Sequence, residues 1–157
     1  MRSKFLAAVA AALVLVGCSS SATVESAPIA VSNVYVKATD TMMTGAFMDI
    51  TNNADSDVTL TGATAEFADR VEVHEVVDGV MRMKEGGLVI PAGAMQTLEP
   101  GGNHLMFMGL MQPLAAGDEV AFTMQFSDGS TLEVLAAVKE LTMGDEPYPS
   151  ASPSMEM

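Results

Sequence analysis

The chain has no tryptophan, one cysteine, two histidines and only seven lysines and arginines among its 157 residues. Each shortage closes off a class of function. A single cysteine rules out a disulfide within the chain, a cysteine-built zinc site and a thiolate-held iron–sulfur cluster. Seven basic residues against 20 acidic ones give a formal charge of −13. That balance argues against a nucleic-acid partner, because phosphate binding draws on clustered Lys and Arg. No nucleophile–base pair, Gly-rich phosphate loop or carboxylate pair in an identifiable cleft marks an enzyme, and none is expected. What is plentiful is methionine, at 14 residues. A chain this small does not need that many thioethers for packing.

The amino terminus is expected to lie outside the fold. Arg2 and Lys4 form a positive n-region, and Phe5 to Val16 is an apolar run of 12 residues. That run is too short to span a bilayer as a mature helix but suits a signal-peptide h-region. Leu15-Val16-Gly17-Cys18, followed by three serines, looks like a bacterial lipobox. The alternative is an ordinary secretory signal with a chance cysteine. On the lipobox reading, residues 1–17 are a signal peptide and Cys18 is the lipidation site, with palmitate among the expected acyl groups. Residues 18–27 are then a flexible tether, and the protein is extracytoplasmic, lipid-anchored to the bacterial membrane on its periplasmic or cell-surface side. Acyl chains contribute about 0.8 kcal/mol per buried CH₂, so several chains hold a protein at a membrane. Cleavage removes Arg2 and Lys4 but no acid, and acylation removes the one free thiol. Soft-metal chemistry is then left to Met and His.

Residues 28–140 read as a single all-β domain. Short apolar, β-branched segments at Val31–Thr39, Gly45–Thr51, Val58–Ala63, Arg70–Val77, Val80–Glu85, His104–Met108, Glu119–Ser127 and Thr131–Val138 are broken by turn residues such as Asp78-Gly79 and Asp128-Gly129. A single helical turn is expected at Ala65–Asp69. Seven to nine short strands predict an antiparallel β-sandwich, cupredoxin-like or Ig-like, with Greek-key connections. The segment 141–157, acidic and containing Met and Pro, is expected to be disordered.

One hairpin fixes a register. If Asp78-Gly79 is a two-residue loop, Val77 faces Val80, Val76 faces Met81, Glu75 faces Arg82 and His74 faces Met83. Opposed side chains have Cβ atoms roughly 4.5–5.5 Å apart, so His74 and Met83 can share a metal. The Glu75–Arg82 charge pair on the other face supports the same register. The second histidine lies in His104-Leu105-Met106, where residues two apart project from one face of a strand. Each of the two histidines thus gains a methionine neighbour. Thioethers select Cu(I), imidazole suits copper in either common oxidation state, Zn²⁺ rarely takes Met and is a weaker candidate, and Mg²⁺ and Ca²⁺ want oxygen. His74, Met83, His104 and Met106 are therefore candidate ligands for one Cu(I). Met81 and Met108 are candidates for accessory ligands, Met111 is undecided, and Met42-Met43 sits in an expected loop. Met48, Met95 and Met124 are expected in the core.

Val71-Glu72-Val73-His74-Glu75, Gly79-Val80-Met81-Arg82-Met83, Ile90-Pro91-Ala92-Gly93 and Leu98-Glu99-Pro100-Gly101-Gly102-Asn103-His104-Leu105-Met106-Phe107-Met108-Gly109-Leu110 resemble the periplasmic copper chaperone family called PCuAC. The resemblance extends over roughly residues 28 to 139. It implies a cupredoxin-like sandwich that binds Cu(I) through His…Met…His-x-Met, and by position these are His74, Met83, His104 and Met106. It also implies delivery to a copper-accepting partner, either a cytochrome c oxidase subunit or a Sco-type thiol protein. This sequence departs from the family pattern in its shorter hairpin, which leaves Met81 open as a substitute for Met83. It also has Tyr35 where the first strand often carries Trp. The methionines of the tail, Met143, Met155 and Met157, resemble copper-binding extensions of some members but lack His.

A site of neutral thioethers and imidazoles would release its ion readily to a cysteine-rich acceptor, and transfer calls for ligands near the surface. A monomer is expected. A copper buffer or scavenger for copper tolerance would use the same site. A metal-free Ig-like interaction module would use none of it. A blue-copper electron carrier needs a cysteine thiolate, which the mature domain lacks.

Overall fold

Alternation of apolar and polar residues between turns produces ten strands in the computed structural model, which describes residues 28–141. They are β1 (Ile29–Lys37), β2 (Met43–Asn52), β3 (Val58–Ala65), β4 (Ala68–Val77), β5 (Val80–Met83), β6 (Leu88–Ile90), β7 (Met95–Leu98), β8 (His104–Leu110), β9 (Glu119–Phe126) and β10 (Thr131–Lys139). The segments expected to be signal peptide and tether, Cys18 and the tail methionines Met143, Met155 and Met157 lie outside the described residues.

The strands hydrogen-bond in the order β5-β4-β8-β2-β1-β10-β9-β3-β6, and β7 pairs with β2. Pairing of β4 with β3 closes the path, so seven strands run round a barrel-like sandwich and β5, β6 and β7 are appended to it. The all-β sandwich expected from the sequence is the observed class. The pairings are antiparallel except that of β1 with β10, whose strands run parallel with Tyr35 beside Ala137.

The alternation is cleanest in β9 and β10, where inward residues such as Val120, Phe122, Met124, Val134, Ala136 and Val138 are buried and their neighbours face water. Fully burying a Leu, Phe or Met side chain stabilises by about 1.5–3 kcal/mol, and Leu60, Leu105, Phe107 and Met124 are all at 0% exposure. β2 and β8 break the pattern. Thr44 to Met48 are buried without interruption, as are His104 to Phe107. Ala46, Met48, Leu105 and Phe107 fill the core or border it, whereas Phe47, His104 and Met106 point to the other face and are covered there as well.

Three expectations are corrected. The helical turn at Ala65–Asp69 is a hairpin: β3 runs to Ala65, Glu66 and Phe67 make the turn, and β4 begins at Ala68. Met95 is not a core residue. It opens β7 and is 58% exposed, while Met48 and Met124 are buried as expected. Met43 belongs to β2 rather than to a loop.

Candidate metal centre

The hairpin at Asp78-Gly79 has positive φ at both central residues, 53° and 77°, the backbone that a two-residue turn between twisted strands requires. It sets the predicted register: Val77 opposite Val80, Val76 opposite Met81, Glu75 opposite Arg82 and His74 opposite Met83. Glu75 accepts from Arg82 at 3.0 Å and is also paired with Lys84. These two cations hold its carboxyl below the usual range, Lys84 contributing most.

On its other side β4 pairs with β8, and this pairing assembles the site. His74 lies directly opposite His104, Glu72 opposite Met106 and Arg70 opposite Met108. β8 in turn pairs with β2, which sets Gly45 opposite Met106 and Met43 opposite Met108. One sheet face therefore carries Met83, His74, His104 and Met106 as a contiguous group across three strands. His104 opens β8, just after the turn in which Gly102 donates to the Glu99 carbonyl. The glycine at position 45 leaves the β2 side of Met106 without a side chain.

The two imidazoles are 5.8 Å apart between ring centroids, with their planes inclined at 57°. One ion with metal–nitrogen bonds of about 2 Å fits between rings at that spacing. Each ring has one nitrogen engaged and one bare. His104 Nδ1 is 3.0 Å from the Gly102 carbonyl oxygen. A carbonyl only accepts, so Nδ1 carries the hydrogen and Nε2 the lone pair. His74 Nε2 is 3.0 Å from a Glu72 carboxylate oxygen. The remaining nitrogens, His74 Nδ1 and His104 Nε2, are buried and have no hydrogen-bond partner. Buried polar atoms are almost always satisfied. Two imidazole nitrogens without hydrogen-bond partners on adjacent strands, with two methionines on the same face, are a donor set whose chemistry fits a soft metal.

Burial differs sharply among the four residues. His104 is 0% exposed and Met106 3%, while Met83 is 52% exposed, and the His74 side chain is mostly buried. The expectation that all four lie near the surface is therefore corrected: the β8 pair is covered, and Met83 forms the open side. Part of the cover is aromatic. Tyr35 packs on Phe47 at 5.2 Å between centroids, and Phe47 packs on His104 at 6.2 Å. Desolvation lowers the His104 pKa from its ordinary value, the Gly102 hydrogen bond opposes this, and His74 nearby lowers it further. The balance favours the neutral imidazole of His104, the form that can ligate.

Met81 is two pairs nearer the turn than Met83, opposite Val76 rather than a histidine. Met108 lies two residues beyond Met106, and its sulfur is 3.6 Å from an Arg70 guanidinium nitrogen. A cation held at that sulfur would meet a positive neighbour. Sequence reasoning missed Glu72 and Arg70. The alternation that puts His74 and Glu72 on one face would have pointed to Glu72.

A family model described as "Putative lipoprotein LpqE-like" matches residues 29–138. A relative from Leifsonia xyli subsp. xyli (strain CTCB07), named "Putative lipoprotein Lxx21020", is 41% identical over 124 residues, covering 76% of this chain and 75% of that one. Apo-DR1885 from Deinococcus radiodurans is 31% identical with a TM-score of 0.58, covering 90% of this chain and 98% of that one. CuI-DR1885 is 33% identical at the same TM-score over 73% of this chain and 78% of that one. The copper-bound PCuAC domain from PmoF2 has a TM-score of 0.63 over 73% of this chain and 94% of that one, and at 19% identity it speaks for the fold alone. The resemblance to PCuAC domains read from the motif residues is borne out.

Proposed function

The chain belongs to the LpqE-like lipoprotein family, and from that premise we propose that it is an extracytoplasmic copper chaperone, held to a membrane through Cys18. On this reading it carries one Cu(I) on His74, Met83, His104 and Met106 and passes it to a partner. The observation that carries the reading is the pair of buried, unpartnered nitrogens, His74 Nδ1 and His104 Nε2, on facing residues of β4 and β8. Similarity to a protein solved as CuI-DR1885 supports the choice of metal.

The chemistry suits transport rather than catalysis. Two imidazoles and two thioethers are all neutral, so the first shell adds no negative charge to hold the ion back from a thiolate acceptor. The buried pair on β8 shields the ion from water. The exposed Met83 is the ligand that an incoming partner would displace. Family resemblance makes the acceptor a cytochrome c oxidase subunit or a Sco-type thiol protein.

The test is a competition titration against a chromogenic Cu(I) chelator. Met106→Leu conserves volume and should cost under about 1.5 kcal/mol of stability. It should weaken Cu(I) binding by more than the roughly 10–100-fold typical of losing an outer-shell group, as should His104→Ala. Wild-type affinity no better than that of a protein carrying both Met106→Leu and His104→Ala would sink the reading. Deleting the gene should lower oxidase activity at low copper. Unchanged oxidase activity with lost copper tolerance would make the protein a buffer instead.

A further inference from the structure

The two histidines are not equivalent. His104 has its Nδ1 hydrogen committed to a backbone carbonyl and keeps Nε2 bare. His74 is the reverse: Nε2 is committed to Glu72, and Nδ1 is bare. An ionised carboxylate only accepts, so the hydrogen on His74 belongs to Nε2. Glu72 is itself fixed. Its second oxygen takes a hydrogen bond from Arg70 Nε at 3.0 Å, and another nitrogen of that guanidinium lies against the Met108 sulfur. Arg70, Glu72 and His74 are alternate residues of one strand, so β4 itself lines up the chain of contacts.

We propose that Glu72 is a positioning residue that holds His74 in the Nε2–H tautomer, so that the site binds copper through Nδ1 of His74 and Nε2 of His104. The inference rests on the copper reading above and goes beyond it by assigning the donor atoms and the group that selects one of them. Nδ1 is the ring nitrogen nearer the backbone, so an ion held there lies closer to β4 than one held through Nε2. Without Glu72, the His74 ring is free to exchange tautomers. A fraction of its neutral forms would then carry the hydrogen on Nδ1, where the lone pair is needed, and the ring could turn to use the other nitrogen.

Long-range ¹H–¹⁵N correlation spectra of the histidine rings test this on the apo protein at pH 8, before and after addition of Cu(I). The expected apo pattern is protonated Nε2 and bare Nδ1 for His74, and the opposite for His104. Cu(I) should shift His74 Nδ1 and His104 Nε2. Glu72→Gln retains an accepting oxygen and should keep both the tautomer and the affinity to within a fewfold. Glu72→Leu should mix the His74 tautomers and weaken Cu(I) about 10–100-fold. A copper-induced shift at His74 Nε2, or equal losses of affinity in the Gln and Leu variants, would overturn the assignment. Equal losses would make Glu72 a source of charge only. If wild-type protein gives the expected apo tautomers yet binds no Cu(I), the copper reading falls with its ligand assignment, and the hold of Glu72 on His74 stands apart from it.

Discussion

Each proposed ligand owes its place to one register, and a shift by one residue would turn it to the opposite face. Met83 and Met81 share a face of β5, but only Met83 is set against a histidine. Met83→Leu should therefore weaken Cu(I) at least tenfold, and Met81→Leu should change it less than threefold. Chelator competition on both variants checks this, and the reverse ranking would move the ligand to Met81. The juxtaposition of His74 with Met83 was legible because two-residue Asp-Gly turns leave little choice of pairing. The pairing of His74 with His104 was not. It depends on β4 meeting β8 across 30 positions of sequence, and nothing local encodes such a contact. Glu72 was overlooked for a different reason: its contact with His74 is local, two residues along β4, but an acid between two valines reads as a solvated face unless the i, i+2 alternation is applied to it.

Whole elements were legible where they are long and bounded by turn residues. β9 and β10 alternate strictly, and both were found to within a residue or two of their ends. β6 and β7 were missed because they have three and four residues, too few to establish a period. Their connections depend on backbone geometry more than on hydrophobicity. Gly87 precedes β6 with φ of 81°, and a Cβ at that position would collide with the Leu60 carbonyl of β3. Neither a left-handed backbone nor a clash with main chain can be relieved by a rotamer change. Gly87→Ala should thus destabilise the apo domain by about 1–3 kcal/mol, and Gly93→Ala, with open space around it, by less. Urea unfolding of the two variants makes the comparison. Equal midpoints would show that β3 and β6 are not held together at Gly87.

For the molecule as a whole, the burial of an ionisable histidine should appear in its response to pH. The unfolded chain binds a proton at His104 near the ordinary value of 6.5, whereas burial lowers that pKa in the folded state. Between the two values the unfolded state holds more protons, so folding stability rises with pH. The contribution is complete above about 6.5 and is lost as pH falls from there toward the folded value. Asp49, whose hydrogen bonds from Asn33 and Thr97 lower its pKa, and Glu75 start from 3.8 and 4.5, so they act in a lower window. The apo Tm should therefore fall as pH is lowered from 8 to 5.5. His104→Gln should flatten that decline, whatever it does to the Tm at pH 8. Adding Cu(I) should raise the Tm through mass action and steepen its fall in acid, because a proton and the ion compete for the same lone pair on Nε2. Differential scanning calorimetry at constant ionic strength measures both slopes. A Tm of the apo protein that is flat over this range would mean that His104 is not desolvated, and the buried half of the site would have to be redrawn.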